Sequence, residues 1–321
     1  MIEQLVRIIQ AVEFPEFKRN PGKVVLLAWL LPISVYAQIS FTEIQTQPFD
    51  SPDDIVKYGE ERLQFAEYWH PGTEKPALVV LIHGGCWLNE YGLDHVRSLA
   101  SKLKGNNYAV WSMEYRRVGD SGGGWPGTFE DVIDSINHTG KLKNINQGSR
   151  FLLGHSAGGQ LALWAGSAAY FPPASPLRDR LKVRLSGTIG LAAISDLEEY
   201  ARGSSSCEIV TKQLMGGLPG EQQASYGYAS PARLLPSVPA VLIHGESDGI
   251  VNISQSQHYA TASAMVELNS LSDLGHFDMI NPNGPAFDQI LKALAALEMK
   301  NAEGTKAGDS NQKAKTRVSP K

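Results

Sequence analysis

The segment Gly-His-Ser-Ala-Gly at residues 154–158 constrains the fold of this chain more than any other feature. It follows an apolar run at 150–153 and precedes small and apolar residues at helical spacing between 157 and 170. A serine in the pattern G-x-S-x-G, placed between a strand and a helix, lies on a turn so tight that only glycine fits on either side. The turn exposes the hydroxyl and points the following N–H groups at the atom that it attacks. The segment therefore predicts that Ser156 is a nucleophile.

Strand-like and helix-like segments alternate along most of the chain around this turn. Apolar or alternating runs predict strands at residues 62–69, 77–82, 108–113, 150–153, 185–194, 238–243 and 265–271. Apolar residues at helical spacing predict helices at residues 129–142, 254–265 and 287–297. Such an alternation is typical of an α/β fold, in which a mostly parallel sheet is covered by helices on both faces.

Two segments interrupt or follow this alternation. Residues 195–231 are rich in Gly, Ser and Pro and separate two core strands by more than a simple crossover needs. We expect them to form a small cap above the strand ends, inserted after the sixth strand. Residues 301–321 are polar and charged and predict a disordered tail. The catalytic domain is then expected to span residues 38–300, a length suited to one large α/β domain.

The first residues predict an export signal. Three basic residues between positions 18 and 23 precede the apolar run at 24–31, and Val35 and Ala37 fit the −3 and −1 positions of a cleavage site. The apolar stretch is too short to cross a bilayer, so residues 1–37 predict a cleaved signal peptide with a long basic region. A buried N-terminal helix is the alternative. We expect an exported protein, periplasmic or secreted, with no membrane anchor after cleavage.

Charge and composition narrow the classes of partner. The net charge is −4 and no basic stripe is present, which excludes nucleic acid and anionic membrane surfaces as expected partners. Neither an H-E-x-x-H pattern nor a cluster of Cys and His is present, so we expect no metal and no cofactor. A small-molecule ester or amide substrate remains, and the oligomeric state is left open.

The chain contains two cysteines, Cys86 and Cys207. An exported protein meets oxidising conditions, in which the two thiols could form one bridge. Free cysteine also packs well as a small buried hydrophobic residue. Two independent buried thiols are the favoured interpretation.

Two further residues complete a predicted catalytic triad. A serine hydroxyl needs a base within hydrogen-bond reach, and that base needs a third group to orient it. Asp248 follows the strand at 238–243, and His276 follows the strand at 265–271, in the order Ser, Asp, His that this architecture uses. We therefore predict that His276 acts as general base and then acid, and that Asp248 orients its imidazole.

Competing assignments stay open at this stage. His258 also follows Asp248 but falls within a predicted helix, away from the strand tip. Asp196 ends the preceding strand, where some proteins of this architecture carry the acid. Asp278 lies two residues beyond His276 and is expected to anchor its loop.

An oxyanion hole is predicted after the strand at 77–82. The segment His-Gly-Gly-Cys-Trp at 83–87 leaves backbone N–H groups unobstructed, so we expect Gly85 and Cys86 to bind the oxyanion together with Ala157. Trp87 and Trp125 are candidates for the substrate pocket. Packing in the hydrophobic core is the alternative for both tryptophans.

Several of these motifs together resemble those of a known superfamily. They are His-Gly-Gly-Cys-Trp at 83–87, Glu-Tyr-Arg-Arg at 114–117, Trp-Pro-Gly-Thr at 125–128, Gly-His-Ser-Ala-Gly-Gly at 154–159 and His-Phe-Asp at 276–278. The chain resembles α/β-hydrolases of the esterase/lipase group, in particular kynurenine formamidase-like and feruloyl-esterase-like carboxylesterases. Cys86 stands where such proteins often have glycine or an aromatic residue. The resemblance covers roughly residues 63–297.

This resemblance implies an α/β-hydrolase fold, with a mostly parallel eight-stranded sheet flanked by helices and a small cap after strand six. It also implies a serine hydrolase that cleaves carboxylic esters through an acyl-enzyme, without a cofactor. Arylformamidase activity of the kynurenine formamidase type is an alternative, although export fits poorly with a cytoplasmic task. A non-catalytic ligand-binding protein on the same fold is another, although no triad residue is missing.

Overall fold

The computed structural model describes residues 38–316. The predicted signal peptide at 1–37 lies outside the described residues, as does the end of the chain at 317–321. Within residues 38–316, no helix is long and apolar enough to cross a membrane.

Eight strands form a single sheet, which confirms the predicted α/β-hydrolase architecture. The strands are β1 (Asp54–Lys57), β2 (Phe65–Trp69), β3 (Leu78–Ile82), β4 (Ala109–Met113), β5 (Arg150–His155), β6 (Gly187–Leu191), β7 (Ala240–Gly245) and β8 (Val266–Leu271). Their order across the sheet is β1-β2-β4-β3-β5-β6-β7-β8. The β1–β2 and β2–β4 pairs are antiparallel, and all other pairs are parallel. The carboxyl ends of β3 to β8 therefore meet at one edge.

Helices cover both faces of this sheet. The α-helices are α1 (Phe41–Gln45), α2 (Arg97–Gly105), α3 (Gly127–His138), α4 (Ala157–Ala165), α5 (Leu197–Tyr200), α6 (Ser206–Met215), α7 (Gln223–Ala229), α8 (Ser254–Ala262) and α9 (Pro285–Thr316). Short 3-10 helices lie at Leu93–Val96, Thr139–Lys141, Ala168–Tyr170, Pro231–Arg233 and Phe277–Ile280. The segment after β6 contains α5, α6 and α7, where the cap was expected.

The central strands have continuous apolar sequences because both of their faces are covered. Every residue of β3, β4 and β5 is buried. Side chains alternate between the faces along each strand. On one face, Val80 and Trp111 pack with residues of α3 and α4. On the other, Val79 and Val110 pack with residues of α2 and α9.

The first strand was not among the segments assigned from the sequence. β1 is a four-residue edge strand whose two faces are mostly solvent-accessible, and Ile55 is 61% exposed. An edge strand of this kind buries little apolar surface, so it leaves no hydrophobic pattern in the sequence.

The last helix is longer than the sequence predicts. The apolar spacing ends at Leu297 and a disordered tail is expected from Asn301, yet the backbone of α9 remains helical to Thr316. Residues 301–316 contain three Ala and three Lys, which favour helix, but also Gly, Asn, Thr and Ser, which do not, so helix propensity does not explain this extension. The boundary placed at residue 301 is therefore not a helix end in this structure.

Candidate active site

Ser156 lies on a sharp turn between β5 and α4. Its backbone has φ 56° and ψ −119°, a conformation that residues other than glycine seldom adopt. A Cβ atom on Gly154 would lie 2.1 Å from the carbonyl oxygen of Gly158, and one on Gly158 would lie 2.2 Å from that of Ile82. Neither contact is sterically allowed, so the close packing of the turn requires both glycines. The predicted geometry of the nucleophile turn is present.

Asp248 and His276 are hydrogen-bonded to one another. His276 Nδ1 lies 2.7 Å from Asp248 Oδ2, and both side chains are almost completely buried. His244 Nε2 lies 3.3 Å from the same carboxylate oxygen. The other oxygen, Oδ1, accepts bonds of 2.8 and 2.9 Å from the N–H groups of Ile250 and Val251. Every position around this carboxylate is thus occupied by a donor or an imidazole.

These bonds determine the charge of Asp248. Burial by itself would raise the pKa of the Asp248 carboxyl, but hydrogen bonds from His244 and His276 outweigh it and hold that pKa well below its ordinary value. Asp248 is therefore ionised throughout the range in which proteins are stable. A permanently charged carboxylate fixes one tautomer of the His276 ring, with Nδ1 protonated and Nε2 free to accept a proton.

Ser156 and His276 line the same cavity, which has a volume of about 240 Å³. Among the described residues, the Ser156 hydroxyl donates to no other group, so no competing hydrogen bond holds its proton. The structure therefore brings all three predicted triad residues to one edge of the sheet. Within residues 38–316, no hydrogen bond joins the Ser156 hydroxyl to the His276 ring.

The alternative acids and bases lie elsewhere. His258 is on the surface of α8, where its side chain is 70% exposed and 3.9 Å from Glu199. Asp196 caps α5, and its Oδ1 accepts hydrogen bonds from the N–H groups of Glu198 and Glu199. Asp278 anchors the histidine loop, as expected, because its Oδ2 accepts the N–H of Gly275 at 2.8 Å.

The residues predicted for the oxyanion hole lie at the same strand ends as Ser156. Gly85 and Cys86 line the cavity together with Ser156, and Ala157 is the first residue of α4. Within residues 38–316, the N–H groups of these three residues bond to no protein acceptor. Gly84 lies against the serine as well, since a Cβ atom at this position would be 3.1 Å from the Ser156 Cβ. Gly84 was not among the residues predicted for the oxyanion hole, although it directly precedes Gly85 in the sequence.

The two cysteines form a disulfide, so the favoured interpretation as independent thiols is wrong. Cys86 and Cys207 are bonded across 121 positions of sequence, with their Cα atoms 4.9 Å apart. Cys86 belongs to the oxyanion loop and Cys207 to α6 of the cap. The bond joins the cap to the catalytic edge, and both cysteines line the cavity. Two cysteines with no motif between them carry no sign in sequence that the fold brings them together.

The two tryptophans proposed for the pocket do not line the cavity. Trp87 is fully buried in the core, where its Nε1 donates to Gln160 Oε1 at 3.1 Å. Trp125 packs against Phe129 with ring centroids 4.9 Å apart. The Trp87 ring is therefore part of the core, whereas the Trp125 ring is partly buried and packs against the core. The positive φ of Trp87, 57°, turns the chain at this point, and its ring packs beneath the oxyanion loop.

Aromatic and aliphatic side chains from separate segments line the cavity instead. Besides the predicted residues and the disulfide, they are Phe41, Tyr91, His95, His155, Ile250 and Phe277. Phe277 follows the catalytic histidine directly, so its position could have been inferred from the sequence. Phe41 comes from the short helix α1 near the start of the described chain, and no local pattern connects it with the site.

Comparison with known proteins assigns the family. The BD-FAE family model matches residues 68–262, which is more than half of the chain. The chain belongs to the BD-FAE family. The matched range begins in β2 and ends with α8, so it includes the oxyanion loop, the nucleophile turn, the cap and Asp248. His276 lies beyond it. No curated protein matches the chain.

Several solved structures with the same fold are described as esterases. Esterase B from Lactobacillus rhamnosis has a TM-score of 0.68 and 19% identity, over 83% of this chain and 92% of that one. A truncated carbohydrate esterase from gut microbiota has a TM-score of 0.63 and 17% identity, over 78% and 97%. An esterase/lipase from an uncultured bacterium has a TM-score of 0.60 and 17% identity, over 94% and 98%. This BD-FAE protein therefore shares the α/β-hydrolase fold with them.

Two further imidazoles face the cavity of this BD-FAE protein and are uncharged. Burial lowers the pKa of His95 to about 3, and burial together with the neighbouring His276 lowers the pKa of His155 well below its ordinary value. The Nε2 atom of His155 lies 3.1 Å from the carbonyl oxygen of His276, to which it donates its proton. His155 thus supports the loop of the catalytic histidine.

The buried, charged side chain of Glu114 contacts the segment at residues 83–87. Glu114 Oε1 lies 2.9 Å from His83 Nε2 and 3.2 Å from Arg117 Nη1, and Oε2 accepts the N–H of Leu93 at 3.2 Å. The Glu114 carboxylate thus connects the oxyanion loop to the segment that carries His95.

A metal site has no support among the residues that the structure describes. No group of three or more His, Cys, Asp or Glu side chains in residues 38–316 is arranged to hold a metal ion. Of the imidazoles that line the cavity, His276 bonds to the Asp248 carboxylate and His155 to the carbonyl oxygen of His276.

Proposed function

We propose that this BD-FAE protein hydrolyses carboxylic esters through a covalent acyl-enzyme formed on Ser156. The observation that carries the proposal is the Asp248–His276 hydrogen bond of 2.7 Å at a cavity that also contains the serine. A free hydroxyl, a neutral base and a charged carboxylate are the three groups that nucleophilic catalysis by serine requires.

In the first step, the Ser156 oxygen attacks the ester carbonyl carbon while its proton moves to His276 Nε2. The resulting imidazolium is stabilised by the Asp248 carboxylate, which stays ionised. His276 then gives the proton to the leaving alcohol oxygen as the carbon–oxygen bond of the ester breaks. The products of this half-reaction are a free alcohol and an acyl group bonded to the serine.

The negative charge on the carbonyl oxygen has a place in the same cavity. The unpaired N–H groups of Gly85, Cys86 and Ala157 are the donors that we assign to this oxygen, and the N-terminus of α4 adds a partial positive charge. Glu114 and the disulfide hold the loop from opposite sides. Such a preorganised loop stabilises the oxyanion without rearranging during the reaction.

Deacylation repeats these steps with water as the nucleophile. His276 takes a proton from water as the water oxygen attacks the acyl carbon, and it returns the proton to Ser156 as the acyl–serine bond breaks. A carboxylic acid leaves and the serine is restored. Water, ester, alcohol and acid balance, so the cycle needs no cofactor.

We also propose that the protein is exported. The predicted signal peptide motivates this, and the Cys86–Cys207 disulfide supports it, because such bonds persist mainly in oxidising compartments. The N-terminus of the protein recovered from outside the cytoplasm should then begin at Gln38. A protein that is found only in the cytoplasm, with its first 37 residues retained, would refute the export proposal.

The esterase proposal is tested with p-nitrophenyl esters of graded chain length and with N-formylkynurenine. We expect ester hydrolysis, and we expect Ser156→Ala to lower kcat by about 10⁶-fold. A fluorophosphonate probe should label the wild type and not Ser156→Ala. Labelling without turnover of any ester, or hydrolysis of the formamide alone, would show that esters are not the substrates. Folded protein that is not labelled would favour a binding protein.

A further inference from the structure

The segment at residues 38–45, which precedes the sheet, forms one wall of the cavity above Ser156. Phe41 is the residue of this segment that lines the cavity. Its ring centroid lies 5.5 Å from that of Tyr91 and 5.3 Å from that of Phe277. These two neighbours belong to different loops, so the Phe41 ring closes the space between them.

Hydrogen bonds fix this segment to the loops of the acid and the base. The N–H of Ile39 donates to Asp278 Oδ1 at 3.3 Å, and the other oxygen of Asp278 accepts the N–H of Gly275. The side chain of Gln38 donates to the carbonyl oxygen of Ser247 at 3.4 Å. The wall is therefore anchored immediately beside His276 and next to Asp248 in the chain.

Local interactions hold α1 in its helical conformation. The Ser40 hydroxyl accepts the N–H of Glu43 at 3.3 Å, and the Glu43 carboxylate accepts the N–H of Ser40 at 2.8 Å, which together form a capping box. Ile44 is buried in the core beneath the helix. A single helical turn is unstable in isolation, so these contacts are what place the Phe41 ring.

We propose that Phe41 is a specificity-determining residue, whose ring limits the length of the aliphatic chain that a substrate ester places in this cavity. The proposal rests on the esterase function proposed above and narrows its substrates to esters with a short chain on this side. The cavity measures about 240 Å³, and the neighbours of Phe41 in its wall are mainly aromatic. A longer chain meets the Phe41 ring, which the anchored segment prevents from moving aside.

The test compares Phe41→Ala with the wild type on two ester series. One series is p-nitrophenyl acetate to octanoate, and the other is methyl to octyl acetate, because either part of the ester can occupy the cavity. We expect Phe41→Ala to raise the ratio of kcat/KM for the longest to the shortest member by about tenfold in one series. Phe41→Trp should lower the same ratio, so the test does not depend on the folding of one variant.

Phe49→Ala is the matched control. Phe49 is in the same part of the chain, but it is 44% exposed and lies over the Arg97 guanidinium, outside the cavity. This variant should keep the wild-type chain-length profile. If both Phe41 variants hydrolyse the acetates by way of Ser156 with an unchanged profile in both series, the proposal for Phe41 is wrong and the esterase function stands. If no ester is hydrolysed, both proposals fail.

Discussion

The catalytic groups and the cavity wall meet above Ser156, but the chain builds these two regions in different ways. Ser156, Asp248 and His276 follow the ends of β5, β7 and β8, and their positions come from the register of a parallel sheet. By the cavity wall we mean the side chains that line the cavity apart from Ser156 and His276, and they come mainly from α1, from the cap and from loops. Its contacts join residues far apart in sequence, such as Ile39 and Asp278, which are 239 positions apart.

This difference shows which parts of the site the backbone determines. Parallel strands of similar length end at one edge, so any residue just beyond a strand tip is placed near its counterparts on the other strands. The wall has no such rule, because each contact depends on how side chains from separate segments pack. We therefore expect variants of the strand-tip groups to change the rate. Variants of the wall should change specificity or stability.

Asp248→Asn should produce the largest effect of the variants that sharpen this comparison. The amide cannot hold the His276 ring in the required tautomer or stabilise its charge, so we expect kcat to fall by about 10⁴-fold. The measurement is kcat for p-nitrophenyl acetate, with thermal unfolding to confirm that the variant folds.

Asp196→Asn is the control for the acid. Its carboxylate caps α5 and does not contact His276, so this variant should keep most of the wild-type kcat. The opposite pattern, in which Asp196→Asn loses activity and Asp248→Asn keeps it, would move the acid to the tip of β6. Asp248, at the end of β7, would then not be the acid of the triad.

His95→Phe tests a residue of the cavity wall. We expect it to change the pH dependence of the free energy of unfolding, an effect smaller than that of Asp248→Asn on kcat. The pKa of His95 in the folded protein is about 3, below the ordinary value of 6.5. Between these values the unfolded chain binds a proton that the folded protein does not, so stability falls as the pH drops from 6.5 towards 3. One such histidine lowers the free energy of unfolding by about 2 kcal/mol between pH 7 and pH 5.

Urea unfolding at pH 7 and pH 5 measures this contribution. His95→Phe should lose about 2 kcal/mol less than the wild type between the two pH values. The variant should still lose some stability, because His155 is also buried in its neutral form. If both proteins lost the same free energy of unfolding between pH 7 and pH 5, His95 would be protonated in the folded protein at pH 5. The wall would then be more polar than the structure indicates.

The sequence indicated which residues meet at the edge of the sheet because each of these segments carries a local signal. The nucleophile turn has its glycines, the oxyanion loop has its glycine pair, and Asp248 and His276 each follow an apolar strand. Seven of the eight strands were recognised for the same reason, since burial on both faces leaves a continuous apolar run. The exposed edge strand β1 was missed, since it buries too little surface to leave that pattern.

The residues that line the cavity could not be identified in the same way from the sequence. Trp87 and Trp125 are near glycine turns in the sequence, yet Trp87 is buried in the core and Trp125 packs against it, and neither lines the cavity. Phe41 and His95 do line the cavity, and nothing in their local sequence indicates it. Cys86 and Cys207 are bonded to each other, although their spacing carries no motif.

The amino-acid sequence by itself thus determined the family architecture, the tight turn at Ser156 and the strand ends at which Asp248 and His276 lie. These features depend on periodicity and on residue types that a few neighbouring positions demand. Only the tertiary structure decided the disulfide, the wall formed by α1 and the charge state of the buried imidazoles. The reason is physical: these properties arise from contacts and desolvation between segments that are distant in the chain and become neighbours only after the sheet has formed.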